Sequence, residues 1–281
     1  MEAYTGFAEV YDIFMDETPY HAWAERIREM IERYGVSRPG SAPQAGEKTG
    51  EASEESPSRQ ELLQSERDLV VDLGCGTGTL TRLLSDYGYD MIGVDNSQDM
   101  LAIALEKEKD TKRPVMYLLQ DMQELELYST VGTVVSVCDS LNYLLTEEEV
   151  LQTFQKVNLY LFPRGIFVFD FNTVYKYEKV IGDTTIAENR EDCSFIWENY
   201  YDPGERINEY DLTLFIREGD LYRKQTETHY QRGYTLSEMK KMAEKAGMEW
   251  ILAIDADTGK KVHAKTERIF AVVRERIKEI Q

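Results

Sequence analysis

Residues 72–79 read DLGCGTGT directly after the apolar run Leu69-Val70-Val71, and no other stretch constrains the chain as much. A buried strand that empties into a glycine turn and then a helix is the opening of a nucleotide-type α/β unit. Gly74, Gly76 and Gly78 remove the β-carbons that would keep a ligand off the backbone there. The helix start that follows leaves N–H groups unpaired.

Beyond the turn, strands and helices alternate. YDMIGVD reads as strand, SQDMLAIALEKEKD as a helix capped by Ser97, and VMYLLQD and VGTVVSVCD as strands. TEEEVLQTFQKVNLYLF reads as a helix capped by Thr146, and GIFVFDF as a strand. Strands built from near-continuous Val, Ile and Leu predict a parallel sheet covered on both faces. In such a sheet ligands bind at the carboxyl ends of the strands.

The 281 residues suit one α/β domain with elaborations. Residues 1–36 carry apolar positions at helical spacing, interrupted by Pro19 and stopped by Gly35, and predict a two-helix lid. Tyr4 and Tyr11 on this arm are singled out, because a phenol on an apolar arm can reach a ligand. Residues 37–66 are rich in Ser, Gly, Pro and Glu without an aromatic, which predicts a mobile loop. Ser58 and Glu61 have capping-box spacing for a short helix at its end.

Residues 173–232 switch to strand propensity with turns at Pro203-Gly204 and Gly219, an antiparallel insert within a core of 67–172 and 233–281. Its Trp197, Tyr200, Tyr201 and Tyr210 are expected to form a small core of their own, with a homodimer contact as a second use. TLSEMKKMAEKAG follows as a helix, and two last strands flank a turn-rich segment, a hairpin that makes the final strand antiparallel.

Composition narrows the function classes. A net charge of −20 opposes broad nucleic-acid binding, which draws on many Lys and Arg contacts. No run approaches the length of a membrane span, and the acidic start lacks the pattern of a signal peptide. Cys75, Cys138 and Cys193 are odd in number and without metal-ligand spacing, which fits a reducing cytoplasm and no metal site.

The turn itself discriminates among ligands. A nicotinamide dinucleotide fingerprint would want glycine at position 79, where this chain has Thr79. Asp72 would repel a pyrophosphate but favour an ammonium or sulfonium group. Asp95 stands 19 residues beyond Gly76, at the end of the second strand, where a carboxylate can accept from a ribose diol. A nucleoside carrying positive charge, S-adenosylmethionine, satisfies all three.

VVDLGCGTGTL, IGVDNSQDML, LLQDMQEL and VVSVCDSLNYL resemble, in order and spacing, the motifs of class I S-adenosylmethionine-dependent methyltransferases, of the bacterial small-molecule type. The resemblance implies a Rossmann-like sheet of about seven strands in the order 3-2-1-4-5-7-6, strand 7 antiparallel. It places Asp72, Gly74 and Gly76 near the methionine moiety, Asp95 and Asn96 at the ribose, and Asp121 and Met122 at adenine. Asp139 matches a position facing the methionine or acceptor side, and Cys75, Gly78 and Met100 join the cofactor contacts. Tyr4 or Tyr11 would close over the cofactor.

A small-molecule acceptor hydroxyl or ammonium would also lose a proton. Asn142 and Tyr143 after the fourth strand, Asn172 and Tyr175 after the fifth, and His229 in the insert are the candidates. Asn142 and Tyr143 could equally cap the next helix, and His229 could be an ordinary strand histidine. A non-catalytic cofactor-binding scaffold and an NAD-dependent oxidoreductase are the competing functions.

Overall fold

Val70 and Val71 point to opposite faces of the strand before the glycine turn, and both are fully buried, so this strand lies in a sheet covered on both sides. The structure, a computed structural model, describes residues 6–40, 57–109, 111 and 113–278. Tyr4 and most of the loop expected at 37–66 lie outside the described residues.

In chain order the helices α1 (Ala8–Phe14), α2 (Tyr20–Tyr34) and α3 (Arg59–Asp68) precede β1 (Leu69–Leu73). Then come α4 (Thr79–Asp86), β2 (Asp90–Asp95), α5 (Gln98–Lys107), β3 (Met116–Leu119), β4 (Val131–Ser136), α6 (Glu147–Tyr160) and β5 (Leu161–Asn172). A meander of β6 (Thr185–Asn189), β7 (Cys193–Asp202), β8 (Ile207–Glu218) and β9 (Leu221–Arg232) follows, and α7 (Leu236–Lys245), β10 (Met248–Asp255) and β11 (Arg268–Glu275) complete the chain.

The seven-stranded sheet runs β3-β2-β1-β4-β5-β11-β10. Counting only its own strands, that is the expected 3-2-1-4-5-7-6, with β11 antiparallel to both neighbours. Alternation divides the core: Val71, Val134, Phe167 and Phe169 face α6 and α7, whereas Val70, Val135 and Val168 face α2 and α4. In α2, Trp23, Ile27, Met30 and Ile31 are buried on one stripe, as their spacing predicts. Each such side chain contributes roughly 1.5–3 kcal/mol by leaving water. Ser58, Thr146 and Thr235 all close capping boxes, which fixes where α3, α6 and α7 begin.

The elements differ from the sequence reading in several places. The helix expected to run through Phe162 stops at Tyr160, because Leu161 turns extended and Pro163 cannot donate to a helix, so β5 starts at Leu161. The insert has four strands. β6 was hidden because its largest apolar residue, Ile186, is exposed on an edge and leaves no burial pattern. A short π-helix, Lys176–Ile181, was also not foreseen.

The insert seats the N-terminal arm. Val10 of α1 packs into the insert's own cluster of Cys193, Phe195, Leu212 and Leu214, and Phe14 meets Phe195 edge-on at 4.7 Å. Tyr200, assigned to that small core from sequence, is instead exposed.

Gly132 in β4 shows how tightly the layers approach. A β-carbon there would stand 1.7 Å from the carbonyl oxygen of Arg67 at the end of α3. That contact is with backbone, which cannot swing aside. Gly132→Ala is expected to lower stability by on the order of 3 kcal/mol in chemical denaturation; a loss within experimental error would mean α3 does not dock on β4 as described.

Candidate active site

The chain leaves β1 and is turned back at once, because Gly74 and Cys75 both donate to the Val94 carbonyl of β2, at 2.7 and 3.0 Å. This forces left-handed backbone at Gly74 (φ +81°), Gly76 (φ +54°) and Gly78 (φ +76°). The three serve different ends. A β-carbon on Gly74 would strike Ser140, and one on Gly78 would strike the Tyr117 hydroxyl, so these two permit close packing. A β-carbon on Gly76 would meet nothing within 4 Å, since it would project into an open cleft.

That cleft encloses about 980 Å³ of empty space, counting its open mouth. It lies at the carboxyl ends of β1, β2 and β4, where a parallel sheet collects ligands. Its floor holds two carboxylates, Asp72 buried and Asp95 partly buried. Asp95 accepts from the Gly76 N–H at 2.7 Å and the Ser97 N–H at 2.9 Å, which locks the glycine turn to the start of α5. Burial raises the Asp95 carboxyl above the usual carboxylate range, against the pull of those amides. Asp72 accepts from Thr81 Oγ1 at 2.6 Å. Burial pushes its carboxyl up to about 7, opposed by the Thr81 hydrogen bond and reinforced by the charge of Asp95. A cation placed here would relieve both anions.

The arm forms the roof. Tyr11 and Tyr20 line the cleft, with their hydroxyls 3.7 and 3.8 Å from Cys138 Sγ. Burial pushes the Cys138 thiol up to about 11, with Asp139 adding to the effect, so the sulfur stays protonated near neutrality. Asp12 clamps the roof down: it accepts from Thr77 Oγ1 at 2.7 Å and pairs with Lys107 of α5 at 2.6 Å.

The far wall follows β4. Cys138 (φ +64°) and Asp139 (φ +54°) are both left-handed without being glycine, a costly arrangement that something must hold. Asp170 of β5 accepts from both of their amides, at 3.1 and 2.9 Å, and Arg268 of β11 bridges Asp170 and Asp139 at 2.6 Å each. Burial opposes the Arg268 charge, but Asp170 and Asp139 outweigh it and hold the guanidinium above its ordinary value. The 3-10 turn Ser140–Tyr143 then carries Tyr143 into the cleft.

Most predicted cofactor residues meet in this one place. Tyr11, Asp72, Gly74, Cys75 and Gly76 line the cleft, as do Asp95, Asn96, Met100 and Met122. Three do not. Gly78 packs against Tyr117; Asp121 turns away to cap the 3-10 turn at Met122, accepting from the Gln123 N–H at 2.8 Å; and Asp139 is spent on Arg268 and on Gln231, 2.7 Å away.

Of the catalytic candidates, Asn142 is fully buried and structural. Its amide donates to the carbonyls of Asn172 and Arg232 and accepts from the Asn172 N–H, which stitches the ends of β5 and β9 together. Asn172 is thereby occupied as well. Tyr143 lines the cleft, and His229 is buried directly behind it with Nδ1 3.1 Å from the phenol oxygen.

Tyr20, Gln120, Cys138 and Ser140 line the cleft without having been anticipated. Tyr20 opens α2 just after Pro19 and could have been read from that helix start. Gln120, one place before Asp121, had no signal beyond its position at the end of β3.

Comparisons with known proteins agree with this geometry. Residues 70–165 match the methyltransferase domain family. The chain is 32% identical to the putative methyltransferase YqeM of Bacillus subtilis over 95% of each chain. It is 33% identical to the putative methyltransferase GWCH70_2453 of Geobacillus sp., covering 96% of this chain and 99% of that one. Among solved structures, an S-adenosylmethionine-dependent methyltransferase from Clostridium acetobutylicum superposes with a TM-score of 0.78 at 24% identity, over 98% of this chain and 100% of that chain.

The raised Asp72 carboxyl gives a pH signature. Affinity for a sulfonium ligand requires the ionised form, so it is expected to fall by up to about tenfold between pH 8 and pH 6 in calorimetry. The apo protein responds in the opposite sense. A carboxyl raised by folding contributes fully below its unfolded value of about 4 and loses that contribution as pH rises through about 7. Asp72→Asn should therefore raise the melting temperature more at pH 8 than at pH 4 while weakening the ligand; equal shifts at both pH values would contradict the assignment.

Proposed function

The chain belongs to the class I S-adenosylmethionine-dependent methyltransferases, and from that premise we propose that it methylates a small-molecule acceptor bound beneath the N-terminal arm. S-adenosylmethionine is its methyl donor and supplies a carbon activated by the positive sulfur. The residues present fit that donor: Gly76 leaves open space where any other residue would place a β-carbon, beside the buried Asp72 and the partly buried Asp95, neither of which is paired with a cation among the described residues. This pairing of room with negative charge carries the reading.

Within it, Asp95 holds the ribose hydroxyls, with Asn96 beside it. Asp72, next to Gly74, faces the charged methionine end. Met100 and Met122 sandwich the adenine, and Gln120 takes the edge role first assigned to Asp121. Tyr11 and Tyr20 exclude water from the reacting centre, and the Asp12 clamp sets the arm at a fixed height above it. Such a site works chiefly by alignment, holding acceptor, methyl and sulfur in line. The arm roofs the cleft with this chain's own Tyr11 and Tyr20, and the insert seats the arm, which favours a small molecule over a macromolecular surface.

An oxidoreductase reading is disfavoured by Asp72, whose charge opposes a pyrophosphate. Calorimetry with S-adenosylmethionine and with NADH separates the two: binding of the former alone is expected, and binding of NADH alone would sink the proposal. Asp95→Ala should weaken S-adenosylmethionine by about tenfold or more, since it removes a charged acceptor from a ribose. If donor binds but a panel of metabolites never yields S-adenosylhomocysteine, a binding scaffold becomes the better account.

A further inference from the structure

Strand alternation gives the insert's sheet two faces with different fates. Phe195, Leu212 and Leu214 turn toward the N-terminal arm and are buried by it. The opposite face carries Ile196, Tyr200, Tyr222 and Tyr230, all exposed, with Tyr200 and Tyr230 at 51% and 44%. Large side chains left out together on one face mark a surface made to be covered.

One end of that face is hollowed into a groove of about 870 Å³, counting its open mouth. The strand register sets Tyr200, Glu209 and Tyr230 in a single row across β7, β8 and β9. Neighbouring strands lie about 5 Å apart, so a carboxylate stands between two phenol rings. Asp183, Asp202 and Glu205 line the same groove, with Ile207 among them. Asp183 and Asp202 are held in place by backbone, the first accepting from the Tyr201 N–H at 2.9 Å and the second from the Gly204 N–H at 2.7 Å.

Charge is segregated within the insert. Glu188, Asp192 and Glu218, toward the other end of its strands, are paired with Arg190, Arg217 and Arg223. No Lys, Arg or His is among the described residues that line the groove, and its four carboxylates form no ion pair there. A second copy of this chain is therefore the wrong occupant: the chain carries a net charge of −20, and stacking two such faces would set like charges together.

The groove asks for a cation, and the row of Tyr200, Glu209 and Tyr230 says which kind. A guanidinium lies flat on a phenol ring and forks a carboxylate at the same time, whereas the compact ammonium of lysine is more strongly hydrated and has no planar fork. Further carboxylates beyond Glu209 call for more than one positive group in succession, which a stretch of polypeptide provides. We propose that this groove docks an arginine-bearing segment of a partner protein, one guanidinium seated on Glu209 between Tyr200 and Tyr230 and further basic residues along Asp183, Asp202 and Glu205. The proposal stands apart from the methyltransferase reading. Because the groove is on the face turned away from the arm, a docked segment leaves the roof of the cleft uncovered.

Fluorescence anisotropy with the full chain tests it, using fluorescein-labelled hexa-arginine and hexalysine as probes at about 0.15 M salt. Tyr230→Ala and Glu209→Gln change the groove, with Tyr200→Ala as a second probe of the ring pair. Glu148→Gln removes an exposed carboxylate of α6, outside the groove, as the control for charge alone. The expected result is that hexa-arginine binds more tightly than hexalysine, that each groove variant weakens it by about fivefold or more, and that Glu148→Gln leaves it within about twofold. Absence of hexa-arginine binding overturns the proposal. So does an equal loss in Glu148→Gln and Glu209→Gln, which would mean diffuse attraction to an acidic surface. Equal binding of the two peptides with no response to Tyr230→Ala or Tyr200→Ala would mean a site for any polycation, and a dimer in sedimentation that Tyr230→Ala dissociates would mean that a second copy covers the face; either result also overturns it.

Discussion

Arg268 bridges Asp139 and Asp170 where β4, β5 and β11 come together, and the shape of the cleft follows from that ion triad. Without it the left-handed pair Cys138-Asp139 would have no reason to keep its strained backbone. Asp170 holds their two amides, Arg268 holds Asp170, and Trp23 of α2 lies under the guanidinium at 5.1 Å. Removing one partner from such a buried set costs on the order of 3–5 kcal/mol, because the others are left charged and unpaired. The triad therefore fixes the turn that aims Tyr143 and places Cys138 under the two roof tyrosines.

Opposite this wall, the glycine turn and Asp95 form a second fixed element, and the two differ in what they do with charge. The Arg268 cluster neutralises its carboxylates internally. Among the described residues no cation pairs with Asp72 or Asp95, and burial raises both. Unspent negative charge beside open space is what a sulfonium donor completes, and the free protein bears the cost of keeping it. The N-terminal arm joins the halves: Asp12 reaches the glycine turn, Val10 and Phe14 reach the insert, and Glu227 reaches the arm's first amides.

The strand order and the convergence of the glycine turn, Asp72 and Asp95 on one cleft were legible in the sequence, because both are written in local patterns. Val70 and Val71 announce a strand buried on both faces, and Gly76 followed by Asp95 announces a carboxylate brought to the glycine turn. Asp121 and Asp139 do not line the cleft for different reasons: Asp121 caps the adjacent 3-10 turn through the Gln123 N–H, two residues on, whereas Asp139 is met by Arg268, which only folding brings to it. Asn142 misled likewise, since its partners Asn172 and Arg232 are distant in the chain. His229 could not be weighed from strand pattern alone, although the polar alternation of Glu227, His229 and Gln231 was visible and marks a buried polar face. β6 escaped because an exposed edge strand has no burial to betray it.

The central claim is that one cleft, built by the glycine turn and roofed by the arm, seats a sulfonium nucleoside with its reactive sulfur turned toward Tyr143. A crystal structure with S-adenosylhomocysteine tests it most directly. The account predicts ribose hydroxyls on Asp95, the amino-acid end beside Gly74 and Asp72, and the sulfur open to the space in front of the Tyr143 hydroxyl. Ligand bound elsewhere, or seated with its sulfur facing away from Tyr143, would contradict it.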